Sequence, residues 1–427
     1  MEDSQPSLSR ERIDLDHAGN STTTTIPFDL VIEILSRLPA KSLLRFQSVS
    51  KLWFSTIRSK IFVDSFLTWS KTRPRLLLMS YLLKNLQKIN FIFSAPEHTD
   101  NNDDDKSSTV MARYDMPILE PSDYLISGSV NGFVCFRGQV CNTITVYNPI
   151  TRQAVKLPEV TPNGRCMHAS LGYDPVKDQY KVLCVTMRSD SIRKYNQQEH
   201  FVCTVSSSQK QEWRKIENPT GDNYSYVCGE TCIDGALYYG AGLSRIVRFD
   251  VRSEKIDFIK IPKLESYMFS TAYRSIFINY KGKLARIDCS FPENFMTLWV
   301  FEDAEKQEWS SMTCVLPSQW KYLTASHLMS EGVIHTGELV VFSGLLDSSK
   351  PFYVCYYDFN KKIIRKVEIL GMKDGDFRGI HGTSWMSCFP GHIENIRFFV
   401  VDVRYNEKAN CGSDEWCIIG GSRCLFP

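Results

Sequence analysis

The chain has 427 residues, 43% of them apolar and 23% charged, with 50 basic against 48 acidic side chains and a net charge of +2. That length suits a small module plus one large domain, or two or three medium domains, in a composition ordinary for globular protein. A near-neutral balance leaves no broad basic surface, so neither nucleic acid nor membrane is expected as a primary partner.

Residues 1–24 are polar and read as a disordered N-terminal segment. They hold no apolar stretch of secretory type, and Glu2 excludes N-myristoylation. The longest apolar run, Leu76 to Leu83, is too short to cross a bilayer. The 14 cysteines are therefore expected to be free thiols in a reducing compartment, cytoplasmic or nuclear. Cys135, Cys184, Cys203 and Cys355 sit in apolar strand-like runs, where a thiol serves as a small hydrophobe.

Helical signals follow. Pro27 stands where a first turn tolerates it, and Asp29 sits against the positive end of the helix dipole. Val31, Ile34, Leu35 and Leu38 then form one apolar face before Pro39 stops the helix. A second short helix carries Leu43, Leu44 and Phe46; a third carries Val49, Leu52, Trp53 and Ile57. So few residues cannot bury that apolar surface among themselves, which calls for cover from another domain or protein.

Ile26-Pro27-x-Asp29-Leu30-x-x-Glu33-Ile34-Leu35-x-Arg37-Leu38-Pro39-x-Lys41-Ser42-Leu43-x-Arg45-Phe46-x-x-Val49-Ser50-Lys51-x-Trp53 resembles the F-box, with Ile26 in place of the usual Leu and Ser50 in place of the usual Cys. The resemblance implies a three-helix module over residues 25–70 that docks onto a Skp-type adaptor and, through it, a cullin-based ubiquitin ligase. The apolar residues of the pattern, Pro27, Leu30, Ile34, Leu35, Leu38, Pro39, Leu43, Val49 and Trp53, are the expected adaptor-binding set. Spacing leaves open which of them face the adaptor and which face the module's own core.

Beyond Arg75 the helical period gives way to short β-rich runs. One phrase recurs: an apolar strand ending in Tyr-Asn or Phe-Asp, a polar turn, and a strand often closed by Pro. It starts at Thr145, Ile246 and Leu298, with looser copies at Val202 and Cys355. The first apolar residue after each turn is Val155, Trp213, Ile256, Trp309 or Ile364, a mean spacing of about 52, near the kelch period of roughly 50. Trp213 and Trp309 hold equivalent places and read as blade-core residues. Turn glycines precede four of the units, at Asn131-Gly132, Asp234-Gly235, Lys281-Gly282 and Thr336-Gly337. The expected fold is an all-β propeller over residues 75–403. Five blades fall near 123–158, 169–217, 225–261, 271–316 and 327–369, and a sixth is closed by Arg75–Phe93 with Phe377–Val403. An array of β-sandwiches is the competing architecture. Residues 404–427 are left as a tail.

The phrases NGFVCF, VYNPITRQAVKLP and LGYDPVKDQYKVLCV resemble the F-box-associated, kelch-like domain of plant F-box proteins. Chemistry intrinsic to the chain has little support. Asp100–Asp105 lacks the Gly and Glu of a calcium loop. The eight histidines show no HExxH spacing, and Cys411, Cys417 and Cys424 have no nearby His for zinc. No nucleophile elbow or P-loop stands in context. Catalytic, metal and cofactor sites are therefore expected to be absent.

The resemblance implies a non-catalytic substrate receptor of an SCF-type ligase. Alternatives are an F-box scaffold without ligase output, or a carbohydrate-binding or enzymatic propeller. A target protein would dock on loops at the blade ends, with Arg188–Gln198, Asn218–Tyr226 and Gly371–Trp385 as candidates. Within the last, Phe377, Arg378, His381 and Trp385 are singled out as aromatic and polar groups suited to contact.

Overall fold

In a computed structural model, residues 27–398 are described apart from segments 85–86, 98–107, 111, 116–122, 126–127, 139–142, 161–164, 190–195, 207–210, 219–220, 222–223, 225–226, 243–244, 263–272, 291–294, 317–327, 348–350 and 372–382; residues 418–419 and 422–423 are also described. Four helices come first: α1 (Phe28–Ser36), α2 (Ala40–Phe46), α3 (Lys51–Arg58) and α4 (Lys60–Lys71). The fourth corrects the expected three. Ser59 ends α3 in extended backbone and starts α4, its hydroxyl accepting the N–H of Phe62 at 3.3 Å. Phe62, Val63, Phe66 and Leu67 then bury one stripe of α4.

Six antiparallel blades follow. Blade 1 uses Asp123–Leu125, Val134–Gly138, Ile144–Asn148 and Gln153–Lys156. Blade 2 uses Arg165–Asp174, Gln179–Ser189, Asn196–Val205 and Arg214–Ile216. Blade 3 runs from Val227–Ile233 to Lys255–Lys260, and blade 4 from Tyr273–Tyr280 to Glu308–Val315. Blade 5 runs from Leu328–Val333 to Ile363–Leu370 and gains Ser108–Val110 as a parallel outer strand. Blade 6 is composite: Thr383–His392 from the C-terminal part pairs with Arg75–Lys84, which pairs with Gln87–Pro96 and then Ala112–Asp115. The ring is thus closed by strands from both parts of the chain, which hides the sheet edges an open array would expose.

The recurring Asn or Asp of the sequence phrase has a defined task. Asn148 Oδ1 accepts the N–H groups of Ile150 (2.9 Å) and Thr151 (3.3 Å). Asp303 and Asp358 each accept two turn N–H groups at 2.8–3.0 Å in the same way, Asp174 accepts the N–H of Val176 at 3.0 Å, and Asp250 accepts that of Ser253 at 2.8 Å. The residue four places on adopts positive φ each time: Arg152, Asp178, Glu254, Gln307 and Lys362. A short acidic or amide side chain replaces the missing ladder partners of a five-residue turn, so the repeat is a turn signal as much as a core signal.

These five turns, and the four glycine turns, lie at one end of the ring, because each blade's first and third strands run toward it. The helices sit on that end. Leu35, Ala40, Leu43, Ile57, Phe62, Val63 and Phe66 share one buried cluster with Leu77, Met79, Ile92, Val134, Phe136, Tyr147, Ile150 and Ile396 of the ring. The cover demanded by the short helices therefore comes from blades 6 and 1.

Candidate adaptor-docking face

The inner side of the helical module is committed to the ring, and this sorts the nine expected residues. Leu35 and Leu43 are 2% and 0% exposed inside the shared cluster, so in this structure they are core residues instead of surface anchors. Leu38 and Trp53 are half-buried, with Trp53 edge-on to Phe46 at 5.3 Å. Pro27, Leu30, Ile34, Pro39 and Val49 are exposed. Leu30, Ile34 and Val49 keep 49%, 52% and 60% of their surface, and Phe28, Leu52 and Phe54 join them at 45%, 57% and 45%. Scattered exposed apolar residues need no explanation, but α1 (Phe28, Leu30, Ile34), the α2–α3 turn (Val49) and α3 (Leu52, Phe54) together keep six large ones exposed, with the Arg58 guanidinium lying over the Phe54 ring. Phe28 and Leu52 fall at free positions of the pattern and Phe54 lies beyond its end, so the pattern does not single them out.

Polar ties hold the helices in register. The Ser50 hydroxyl caps α3 by accepting the Trp53 N–H at 3.1 Å. Arg73, leading into blade 6, donates to the carbonyls of Arg37 (2.9 Å) and Leu38 (3.0 Å), which end α1. Arg397 reaches Asp64 of α4 at 2.8 Å and Asp178 of blade 2 at 2.7 Å. Burial alone would raise the Asp178 carboxyl, but the Arg397 guanidinium and the Tyr173 hydroxyl outweigh it and hold it below the usual carboxylate range.

The axial channel opens beside the same module as a cavity of about 590 Å³, bordered by Lys71 and Pro74, by Tyr173, Glu230 and Asn279 of the inner strands, and by His335 in the turn after Leu328–Val333. Both signs of charge line it, and Lys71 at the end of α4 is the one helical residue among the described lining residues. Among the described residues no group of three or more His, Cys, Asp or Glu is placed to hold a metal ion. No helix among them is long and apolar enough to cross a membrane.

The three candidate target loops leave the ring at the opposite end. Phe377, Arg378 and His381 lie outside the described residues; Trp385 lies near the start of the blade 6 strand Thr383–His392, paired with Leu345 of the short edge strand Leu345–Asp347. Two of the loops are joined where they are described. The Gln198 side-chain amide donates to the Tyr224 carbonyl and accepts the Tyr224 N–H at 3.0 Å.

Comparison with known proteins agrees with this layout. The F-box domain family matches residues 24–65, and the family described as "F-box associated beta propeller domain" matches residues 77–400. F-box protein At1g30790 of Arabidopsis thaliana is 39% identical over 87% of this chain and 98% of its own length. F-box protein At3g61340 from the same plant is 36% identical over 82% and 88%. F-box protein DOR, also from Arabidopsis thaliana, is 34% identical over 87% and 93%. The chain belongs to the family of F-box proteins that carry an F-box-associated β-propeller.

Proposed function

We propose that this chain is the substrate receptor of an SCF-type ubiquitin ligase, working in the cytoplasm or nucleus. Its outer helical face, Leu30, Ile34, Val49 and Leu52 with Pro27 and Pro39 beside them, takes a Skp-type adaptor, and the adaptor brings the cullin. The observation that carries this reading is the division of the F-box: one side is sealed into the propeller core while the other presents large apolar groups to solvent. Such anchors on short helices suit a complementary apolar surface on a partner.

The end of the ring away from the helices holds a target protein, with Phe377, Arg378, His381 and Trp385 as the residues proposed to contact it. Helices and these loops occupy opposite ends of one ring, so target and ligase are held at a fixed separation. The chain itself supplies no catalytic group. It acts by tethering, which raises the local concentration of the target's lysines near a charged ubiquitin carrier.

Co-purification of the tagged chain with adaptor and cullin tests the assembly. Stabilisation of co-purifying targets when the ligase is inhibited tests the output. A chain that assembles with the adaptor but changes no protein's lifetime would instead be a scaffold.

A further inference from the structure

The polypeptide that follows the last strand of blade 6, Ile393–Phe398, does not leave the ring but crosses beneath the helices. The Asn395 side chain donates to the Asn131 carbonyl at 2.6 Å, and the Asn148 amide donates to the carbonyls of Asn395 (2.9 Å) and Arg397 (3.0 Å). The segment is thereby laced to two turns of blade 1. Gly132 makes room for it: at φ +86°, a Cβ there would meet the Ile393 carbonyl at 2.5 Å.

The same six residues touch the F-box in four places. Glu394, 5% exposed, accepts the N–H of Ala40 at 3.2 Å and so satisfies a donor in the first turn of α2. Ile396, 1% exposed, sits in the core cluster with Leu35, Leu43 and Ile57. Arg397 bridges Asp64 of α4 to Asp178 of blade 2. The Arg58 guanidinium of α3 lies 3.7 Å from the Phe398 ring centre.

We infer that this strap makes the F-box fold conditional on a completed ring, so that adaptor docking is licensed only after the C-terminal strand has closed blade 6. Four short helices cannot bury their apolar stripes alone. Their cover is blades 6 and 1, and blade 6 lacks its inner strand until residues 383–392 arrive. The α2 N-terminus and α4 are tied by residues more than 300 positions later in the chain. A chain stalled or cut before the strap would carry the whole F-box pattern and still present no ordered docking face. This deepens the ligase reading and rests on it only for the identity of the partner.

The test uses full-length protein with Glu394→Ala and Arg397→Ala together, neither residue being on the outer face. Hydrogen exchange of amides in α1–α4 is compared with that of blades 3 and 4, and affinity for a purified Skp-type adaptor is measured in parallel. Loss of these two tie points is expected to speed exchange in α2 and α4 at least roughly tenfold. Blades 3 and 4 should be unchanged, and adaptor affinity should fall by a similar factor. The milder Arg397→Gln should give a smaller shift of the same kind, which covers the case in which the double variant unfolds. Pairing Arg397→Asp with Asp64→Arg should recover part of the α4 protection.

Wild-type exchange in the helices of both variants would overturn the inference. If the wild-type chain shows no adaptor affinity, the partner assignment fails, while the exchange comparison still decides the coupling.

Discussion

The Trp213 indole N–H donates to the carbonyl of Pro158 at 2.7 Å, reaching from the outer edge of blade 2 to the end of blade 1. Trp309 repeats the relationship one blade pair further on, donating to Lys260 of blade 3 at 3.0 Å. Both rings are half-buried, packed against the clusters between neighbouring blades. They staple blade to blade rather than filling the middle of one blade. Truncation to Ala should cost about 2–3 kcal/mol each, less than the roughly 3–5 kcal/mol of a fully buried aromatic. The two should add, since they share no partners. Thermal unfolding of the single and double variants checks this. Adaptor binding measured at low temperature should be unaffected.

Gly132 combines positive φ with close approach to the strap. Gly132→Ala should destabilise the chain by more than the ordinary cost of about 1 kcal/mol for a left-handed non-glycine. Gly282→Ala should cost only that ordinary amount: its φ is +85°, but nothing lies within 4 Å of an added Cβ. Denaturant midpoints of the two variants would expose the difference, and equal shifts would mean that the strap yields easily.

The turn acids can be tested one at a time. Asp358 accepts the N–H groups of Asn360 (2.8 Å) and Lys361 (3.0 Å) at an exposed turn. Asp358→Ala should cost about 1 kcal/mol, and Asp358→Asn, which keeps the acceptor as Asn148 does in blade 1, should restore most of it. An equal loss in both variants would point to charge instead of geometry.

Stability should fall on mild acidification, because of buried histidines. His200 is 1% exposed with Nε2 2.7 Å from the Tyr224 hydroxyl, and burial pulls its imidazole down to about 4. His392, 0% exposed, is pulled down by burial, and secondarily by the Arg75 charge, to about 3. Unfolding lets both return toward 6.5, so the unfolded chain binds more protons below that pH. Their contribution is fully present above pH 6.5 and is lost as pH falls through the folded values, at up to about 1.4 kcal/mol per pH unit for each group. His200→Gln should lower stability at pH 7 and flatten the pH dependence between about 6.5 and 4. An unchanged slope would remove His200 as a contributor.

Much of this architecture is legible in sequence, for identifiable reasons. Hairpin turns need glycine or a short Asx side chain whatever packs around them, so Asn131-Gly132 and Asp358 reveal blade boundaries locally. The sixth blade follows from leftover strands and the need to close the ring. The direction of Leu35 and Leu43 is not legible, since an apolar residue on a helix looks the same whether its cover is the ring or another protein. Helix α4 hides for a related reason: its stripe of Phe62, Val63, Phe66 and Leu67 lies outside the recurring pattern, and only Ser59 marks its start. The strap is invisible, because Glu394 and Arg397 gain their partners from residues hundreds of positions away.

The most direct measurement is the affinity of a purified Skp-type adaptor for the wild-type chain and for Leu30→Asp combined with Ile34→Asp, with thermal unfolding followed on the same samples. Both residues are about half exposed, so unfolding should move little. Placing charge at two apolar anchors should weaken binding by about 100-fold or more, taking roughly 2 kcal/mol or above for hot-spot positions. Tight wild-type binding lost in a variant that still folds is the predicted result. Undiminished binding by the variant, or no binding by the wild-type chain, would contradict the account.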